Sequence, residues 1–161
     1  MTERREHSRE AVIEALHGVA AEMHDRMSKG ESPTMSLPVR TKKNIQFDKR
    51  LGVYKYGRKR TVRDASSLGS ARQLLRALHI IEFIEEMIES GKSSTLREMY
   101  YISEGWGNGK FGSQNESNNL AEDLEIVTRC LREDFRLRPE EDGSRIIGNM
   151  TFNELNRRGE W

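Results

Sequence analysis

The chain has 161 residues, a net charge of +1, one third charged residues and 35% hydrophobic residues, which suits one globular domain with a modest core. A near-neutral total excludes binding to a polyanion through bulk charge, so any such contact must come from local clusters of basic residues. Cys130 is the only cysteine, which excludes an internal disulfide and fits a reducing compartment. There is no run of about 18 apolar residues and no signal-peptide pattern, so a soluble, cytoplasmic protein without a membrane partner is expected.

From about Glu3 to Ser28 the sequence reads as an amphipathic helix. Val12, Leu16, Val19, Met23 and Met27 recur at three- and four-residue steps and form one apolar stripe. The segment "KGESPTMSLPVRT" follows, with two prolines and scattered Ser and Thr, and reads as a linker. On this reading residues 1–30 are a detachable arm, 31–44 a linker and 45–161 the domain proper. The stripe has to be covered either by that domain or by a partner chain.

"NIQFDKRLGVYKYG" has the short alternating runs and glycine-ended turn of a β-hairpin. Lys55, Arg58, Lys59, Arg60 and Arg63 crowd its end. Such a run reads as a solvated loop, or as a phosphate-contacting segment with salt-dependent affinity. The strongest helical pattern runs from about Ser67 to Ser90, through Leu74, Leu75, Leu78, Ile80, Ile81, Phe83, Ile84, Met87 and Ile88, with Gly91 as its stop. A second helix opens at Thr95, where Thr95 and Glu98 have capping-box spacing. "SEGWGNGKFGSQNES" reads as a mobile glycine-rich loop that Trp106 and Phe111 either anchor or leave exposed. A third helix is expected from about Asn118 to Phe135, with Leu120, Leu124, Val127 and Leu131 as its stripe and Cys130 as a small core residue. "RLRPEEDGSRIIGNM" closes the sequence pattern with a hairpin turning at Asp142-Gly143. Three helices followed by a hairpin is the order of a winged helix-turn-helix domain, an α+β, mainly helical fold.

Candidate chemistry is sparse. His7, His17, His24 and His79 show no metal-ligand spacing joined to carboxylates or cysteines, and the acidic run Glu140, Glu141, Asp142 falls in a turn, so no metal site is expected. No serine sits in a nucleophile elbow, and no glycine pattern makes a phosphate-binding loop. The stretch "STLREMYYISEG" is more informative. Adjacent helical residues diverge by about 100° while residues four apart are neighbours. Leu96, Met99, Tyr100 and Ser103 therefore share a core-facing side, and Arg97, Tyr101 and Glu104 a polar one. Tyr100 is expected inside, and Tyr101 outside beside Arg97. An outward phenol with a guanidinium one turn behind it suits attack on a phosphodiester, because the guanidinium can hold a phosphate oxygen. From spacing alone, a surface tyrosine beside an arginine by chance is the commoner source of such a pattern.

The segments "LPVRT", "RLGVYKYGRKRTVR", "TLREMYYIS" and "SQNESNNLAEDLE", in this order, resemble the A subunits of the archaeal type IIB DNA topoisomerases (topoisomerase VI), whose eukaryotic relative is the meiotic double-strand-break protein. The resemblance runs from about residue 37 to residue 148. It implies a CAP-like winged-helix domain in which Tyr101 is the nucleophile, forming a 5′-phosphotyrosyl link with duplex DNA, and Arg97 steadies the transition state. It further implies a homodimer of the full A subunit, magnesium held by a Toprim domain that this sequence does not contain, and ATP held by a GHKL-type B subunit, which the amino-terminal arm would help dock. This chain itself would bind neither cofactor and would be nearly inert alone. Lys110, Gln114 and Ser117, in or just after the glycine loop, are the candidate DNA contacts, with helix capping as the competing role for the last two. A non-catalytic winged-helix DNA-binding protein, a regulator or recombination accessory, is the alternative function, and a pure interaction scaffold the third.

Overall fold

A computed structural model describes residues 7–49 and 52–138. Four α-helices form the bulk of it: α1 (Arg9–Ser28), α2 (Leu68–Ser90), α3 (Leu96–Ile102) and α4 (Gln114–Thr128). Three small strand pairs complete it. β1 (Thr34–Pro38) runs antiparallel to β4 (Arg60–Asp64), and β2 (Ile45–Asp48) antiparallel to β3 (Val53–Tyr56). β5 (Ser94–Thr95) lies parallel to β6 (Leu137–Arg138). This is the expected α+β class, mainly helical, with an element order consistent with a winged-helix domain. The hairpin expected around Asp142-Gly143 and the acidic run at 140–142 lie outside the described residues. No helix among the described residues is long and apolar enough to cross a membrane.

The local signals that set the helix ends are realised. The Ser67 hydroxyl accepts from Ser70 N, and Gly91 closes α2 in the left-handed conformation (φ 69°) that glycine adopts without strain. Thr95 and Glu98 make the reciprocal capping box that opens α3. α2 buries Leu74, Ala77, Ile80, Ile81, Phe83, Ile84, Met87 and Ile88, whereas Leu75, expected inside, lies on its exposed side.

Two expectations are corrected. α1 is not a detached arm: Val12, Leu16, Val19 and Met23 are buried, and the helix packs on α2, α4 and β1. Covering such a side chain is worth roughly 1.5–3 kcal/mol each, so the stripe belongs to the domain core; of the expected stripe only Met27 stays outside. Residues 31–44 are not simply a linker, because they include β1, whose Met35 and Leu37 alternate into the core opposite β4. The third helix also differs in extent. It starts at Gln114 behind the N-cap Ser113 and stops at Thr128, where Arg129 turns into the left-handed region (φ 61°). Leu131, expected on its stripe, is consequently beyond the helix and exposed, while Cys130 is buried as expected.

Ion pairs fasten α4 to the β1–β4 pair. Asp123 is buried on α4 and takes both Arg40 and Arg63, the latter at 2.5 Å, while Arg40 also reaches Glu122 at 2.7 Å. A buried carboxylate is tolerable only when paired in this way.

Candidate active site

α3 carries the two tyrosines and is held from both ends. At its start, Thr95 N donates to Glu98 Oε2 (2.8 Å) and Glu98 N to Thr95 Oγ1 (3.0 Å). Hydrogen bonds from the Thr95 backbone and the Ser94 hydroxyl keep the Glu98 carboxyl below its ordinary pKa. Leu96, Met99 and Ser103 are buried, and the Ser103 hydroxyl donates to Tyr100 O (2.5 Å). This fixes the rotation of the helix about its axis, and with it the direction of each tyrosine.

Tyr100 lies half-buried against the core, whereas Tyr101 is 57% exposed. Their rings meet at 5.5 Å between centroids, so the inner ring supports the outer one. Arg97 Nε lies 3.4 Å from the Tyr101 hydroxyl and can donate to it. Beside them an open groove of about 300 Å³ is lined by Phe83, Met87, Ser94, Glu98 and Ile102. The arrangement offers an accessible phenol, a cation able to stabilise charge on the attacked phosphate, and an apolar wall.

The glycine-rich segment after α3 is anchored rather than free. Trp106 stacks on His79 (5.1 Å, 18°) and tilts against Phe83 and Phe111. Phe111 is fully buried with the Arg76 guanidinium 5.1 Å above its ring, and Arg76 Nε donates to Lys110 O (3.0 Å). Gly109 must be glycine for space, since a Cβ there would lie 2.5 Å from the His79 ring. Arg76 is a positioning residue that the sequence pattern hid, because it is one of several polar residues on an amphipathic helix and its loop partner is 34 residues away.

The candidate DNA contacts separate. Lys110 is exposed and donates to Glu104 (2.6 Å), an interaction that raises its pKa. Gln114 is the first residue of α4, half-buried, and the cap of that helix is Ser113 instead. Ser117 is completely buried, its hydroxyl donating to Gln114 O (2.8 Å), so it presents no group to a ligand at the surface. The "SQNESNNLAEDLE" motif is largely architectural. Glu116 accepts from Gly112 N (2.8 Å) and pairs with Arg76, Asp123 takes Arg40 and Arg63, and Glu125 pairs with Arg132 (2.6 Å).

Of the histidines, His17 pairs with Glu85 (2.9 Å) and His79 supports Trp106. His7, Cys130 and Asp134 come together, their ligand-type atoms within 4.8 Å of one another. A separation of 127 residues conceals that meeting in the sequence. Burial pushes the Cys130 thiol up, away from the thiolate a metal would need. It is the one group of three such side chains among the described residues, and it does not include the carboxylates flanking Tyr101.

Residues 72–137 match the family model described as type IIB DNA topoisomerase. The A subunit of the type 2 DNA topoisomerase 6 of Natronomonas pharaonis is 47% identical over 153 residues, 94% of this chain and 42% of that protein. The corresponding proteins of Haloarcula marismortui (44%, over 94% of this chain and 42% of that protein) and Archaeoglobus fulgidus (45%, over 91% and 41%) match similarly. The chain thus spans about two-fifths of the length of the curated relatives it matches. Its archaeal relatives and its matching segment make this chain a homologue of the type IIB DNA topoisomerase A subunits.

Proposed function

We propose that this chain is the DNA-cleaving, winged-helix segment of a type IIB topoisomerase A subunit, with Tyr101 as nucleophile and Arg97 as the group that stabilises the transition state. The observation that carries the reading is the exposed Tyr101 hydroxyl with Arg97 Nε 3.4 Å away, on a helix whose rotation is fixed. In the step envisaged, the phenolic oxygen attacks a backbone phosphorus and its proton passes to solvent. The P–O3′ bond breaks, the 3′-oxygen takes up a proton, and a 5′-phosphotyrosyl bond remains. Arg97 offsets the charge that builds on the non-bridging oxygens. Resealing is the same exchange in reverse, so no external energy is needed for the bond chemistry itself.

Magnesium and ATP belong, on this proposal, to parts of the assembly other than these 161 residues: a Toprim domain and an ATP-binding B subunit, in a complex built on an A-subunit dimer. The acidic residues nearest Tyr101 on its own segment are otherwise engaged, Glu98 in the cap and Glu104 with Lys110. The test is a chimera in which this chain replaces the matching segment of the Natronomonas pharaonis relative, assembled with that organism's B subunit. Covalent capture of duplex DNA is then read after denaturation with detergent. Tyr101→Phe is expected to abolish the adduct while leaving non-covalent binding in place, and Arg97→Ala to slow its formation strongly. An adduct that survives Tyr101→Phe overturns the assignment.

A further inference from the structure

The β2–β3 hairpin does not fold back on the domain. Its register sets Ile45 opposite Tyr56 and Phe47 opposite Tyr54, so all four apolar side chains share one face. Every one of them is exposed, Tyr54 at 75%. Phe47 and Tyr54 touch each other across the strands (centroids 5.0 Å apart) and nothing else is stacked on them among the described residues. On the other face Gln46 lies opposite Lys55, and Lys55 donates to Asp48 (2.7 Å).

The hairpin is nonetheless held firmly at its base. Asn44 is buried, and its side-chain amide donates to Val39 O and Lys59 O (both 2.9 Å), while its Oδ1 accepts from Lys59 N (3.1 Å). Gly57 passes so close that a Cβ would lie 2.7 Å from Asn44 Oδ1. One side chain therefore joins the two strands of the hairpin to the β1–β4 pair.

Charge identifies what this ribbon fits. Between positions 42 and 60 the sequence has eight lysines and arginines against one aspartate, a net +7 in a chain whose total is +1. Lys42, Lys43, Lys49 and Arg58 are exposed and make no ion pair among the described residues. We infer that the β2–β3 hairpin is a second, non-catalytic DNA-docking element, an aromatic-faced ribbon that enters a duplex groove while the surrounding cations hold phosphates. A two-stranded ribbon is of a size the major groove admits, and cations flanking exposed aromatic rings make a nucleic-acid surface. The inference rests on the topoisomerase reading for the choice of duplex DNA as the polyanion.

The test is a fluorescence-anisotropy titration of this 161-residue chain against a labelled duplex of random sequence, about three helical turns long, repeated over a series of KCl concentrations. Replacing Lys42, Lys43, Lys49 and Arg58 together by Ala is expected to flatten the slope of log K against log salt by about 2–4, near 0.9 for each phosphate no longer neutralised. Phe47→Ala with Tyr54→Ala is expected to weaken binding about tenfold, through lost apolar contact with base edges in the groove, at an unchanged slope. All six side chains are exposed, and circular dichroism checks that the variants keep the fold. A wild-type slope in the charge variant overturns the inference. Wild-type DNA affinity in the aromatic variant, together with loss of self-association or of binding to the B subunit, assigns the face to a protein interface and overturns it too. If the hairpin variants bind normally while Tyr101→Phe abolishes the covalent adduct, only the hairpin inference falls. If the hairpin variants lose affinity while the adduct survives Tyr101→Phe, only the nucleophile assignment falls.

Discussion

Two segments of this chain carry aromatic residues away from the main helices, and they end up in opposite states. The glycine-rich segment after α3 turns Trp106 and Phe111 inward, onto His79, Phe83 and Arg76 of α2. The β2–β3 hairpin turns Phe47 and Tyr54 outward and is secured at its root, by Asn44. In composition the first is the more flexible, with four glycines between Gly105 and Gly112. What decides the outcome is the supporting surface: α2 runs beneath the glycine segment and supplies ring and guanidinium partners, whereas Ile45, Phe47, Tyr54 and Tyr56 on the hairpin are left exposed. An aromatic becomes structural when a neighbour covers it, and stays available for a ligand when none does.

That contrast can be broken by mutation, and the largest effect should come from the anchored side. Phe111→Ala is expected to cost about 3–5 kcal/mol in urea unfolding, the range for a buried aromatic. A loss under about 1 kcal/mol would mean that the segment is not fastened through this ring. Gly109→Ala pushes a methyl into the His79 ring and should cost about 1–3 kcal/mol as overpacking. His79→Ala in the same background should restore part of that loss, because it removes the atom struck. Asn44→Ala leaves the Lys59 amide hydrogen without its acceptor, while the Val39 and Lys59 carbonyls keep their bonds from Thr41 N and Val39 N, and about 1–3 kcal/mol is expected. Amide exchange at Lys59 should accelerate, since that amide hydrogen is the one the Asn44 oxygen holds. Tyr54→Ala on the hairpin tests the opposite state and should change stability by only about 0.2–1 kcal/mol, the scale of a cross-strand pair.

A finer test concerns the cap of α3. The Glu98 carboxyl is held below its ordinary pKa by the Thr95 backbone and the Ser94 hydroxyl. A lowered native pKa adds stability that is complete above the unfolded value and disappears as pH falls through the folded one. Glu98→Gln should therefore flatten the acid limb of the stability profile and matter least at the most acidic end. Thermal unfolding between neutral pH and about pH 3, a range that crosses the reference value near 4.3 for glutamate, checks this. Equal acid limbs in the two proteins would show that the capping carboxylate is not linked to folding.

Local chemistry was legible in the sequence, and distant pairing was not. Ser67, Gly91 and the Thr95–Glu98 box act within a single turn of backbone, so their residue types announce the helix ends directly. The outward direction of Tyr101 followed from helical geometry alone, and the residue is exposed where that geometry puts it. The end of α4 is different, because Arg129 takes up a left-handed conformation with no glycine to signal it. The partner of α1 and the pairing of β1 with β4 depend on contacts between residues far apart along the chain, and the prolines around β1 disguised a strand as a linker. The burial of Ser117 was equally hidden: a serine in the first turn of a helix reads as a surface group until the helices packed around it are known.

The joint at Asp123 restricts how the sequence can drift. One carboxylate bridges two guanidinium groups, that of Arg40 just after β1, which also reaches Glu122, and that of Arg63 on β4. Replacing the acid would take this partner from Arg63 and leave it facing Arg40, which Glu122 alone would then hold, while replacing one arginine leaves a serviceable pair. Among descendants of this chain, the arginines should be lost singly and the aspartate only after both have gone, an order of substitution that the three-way joint imposes whatever the ribbon and the tyrosine do.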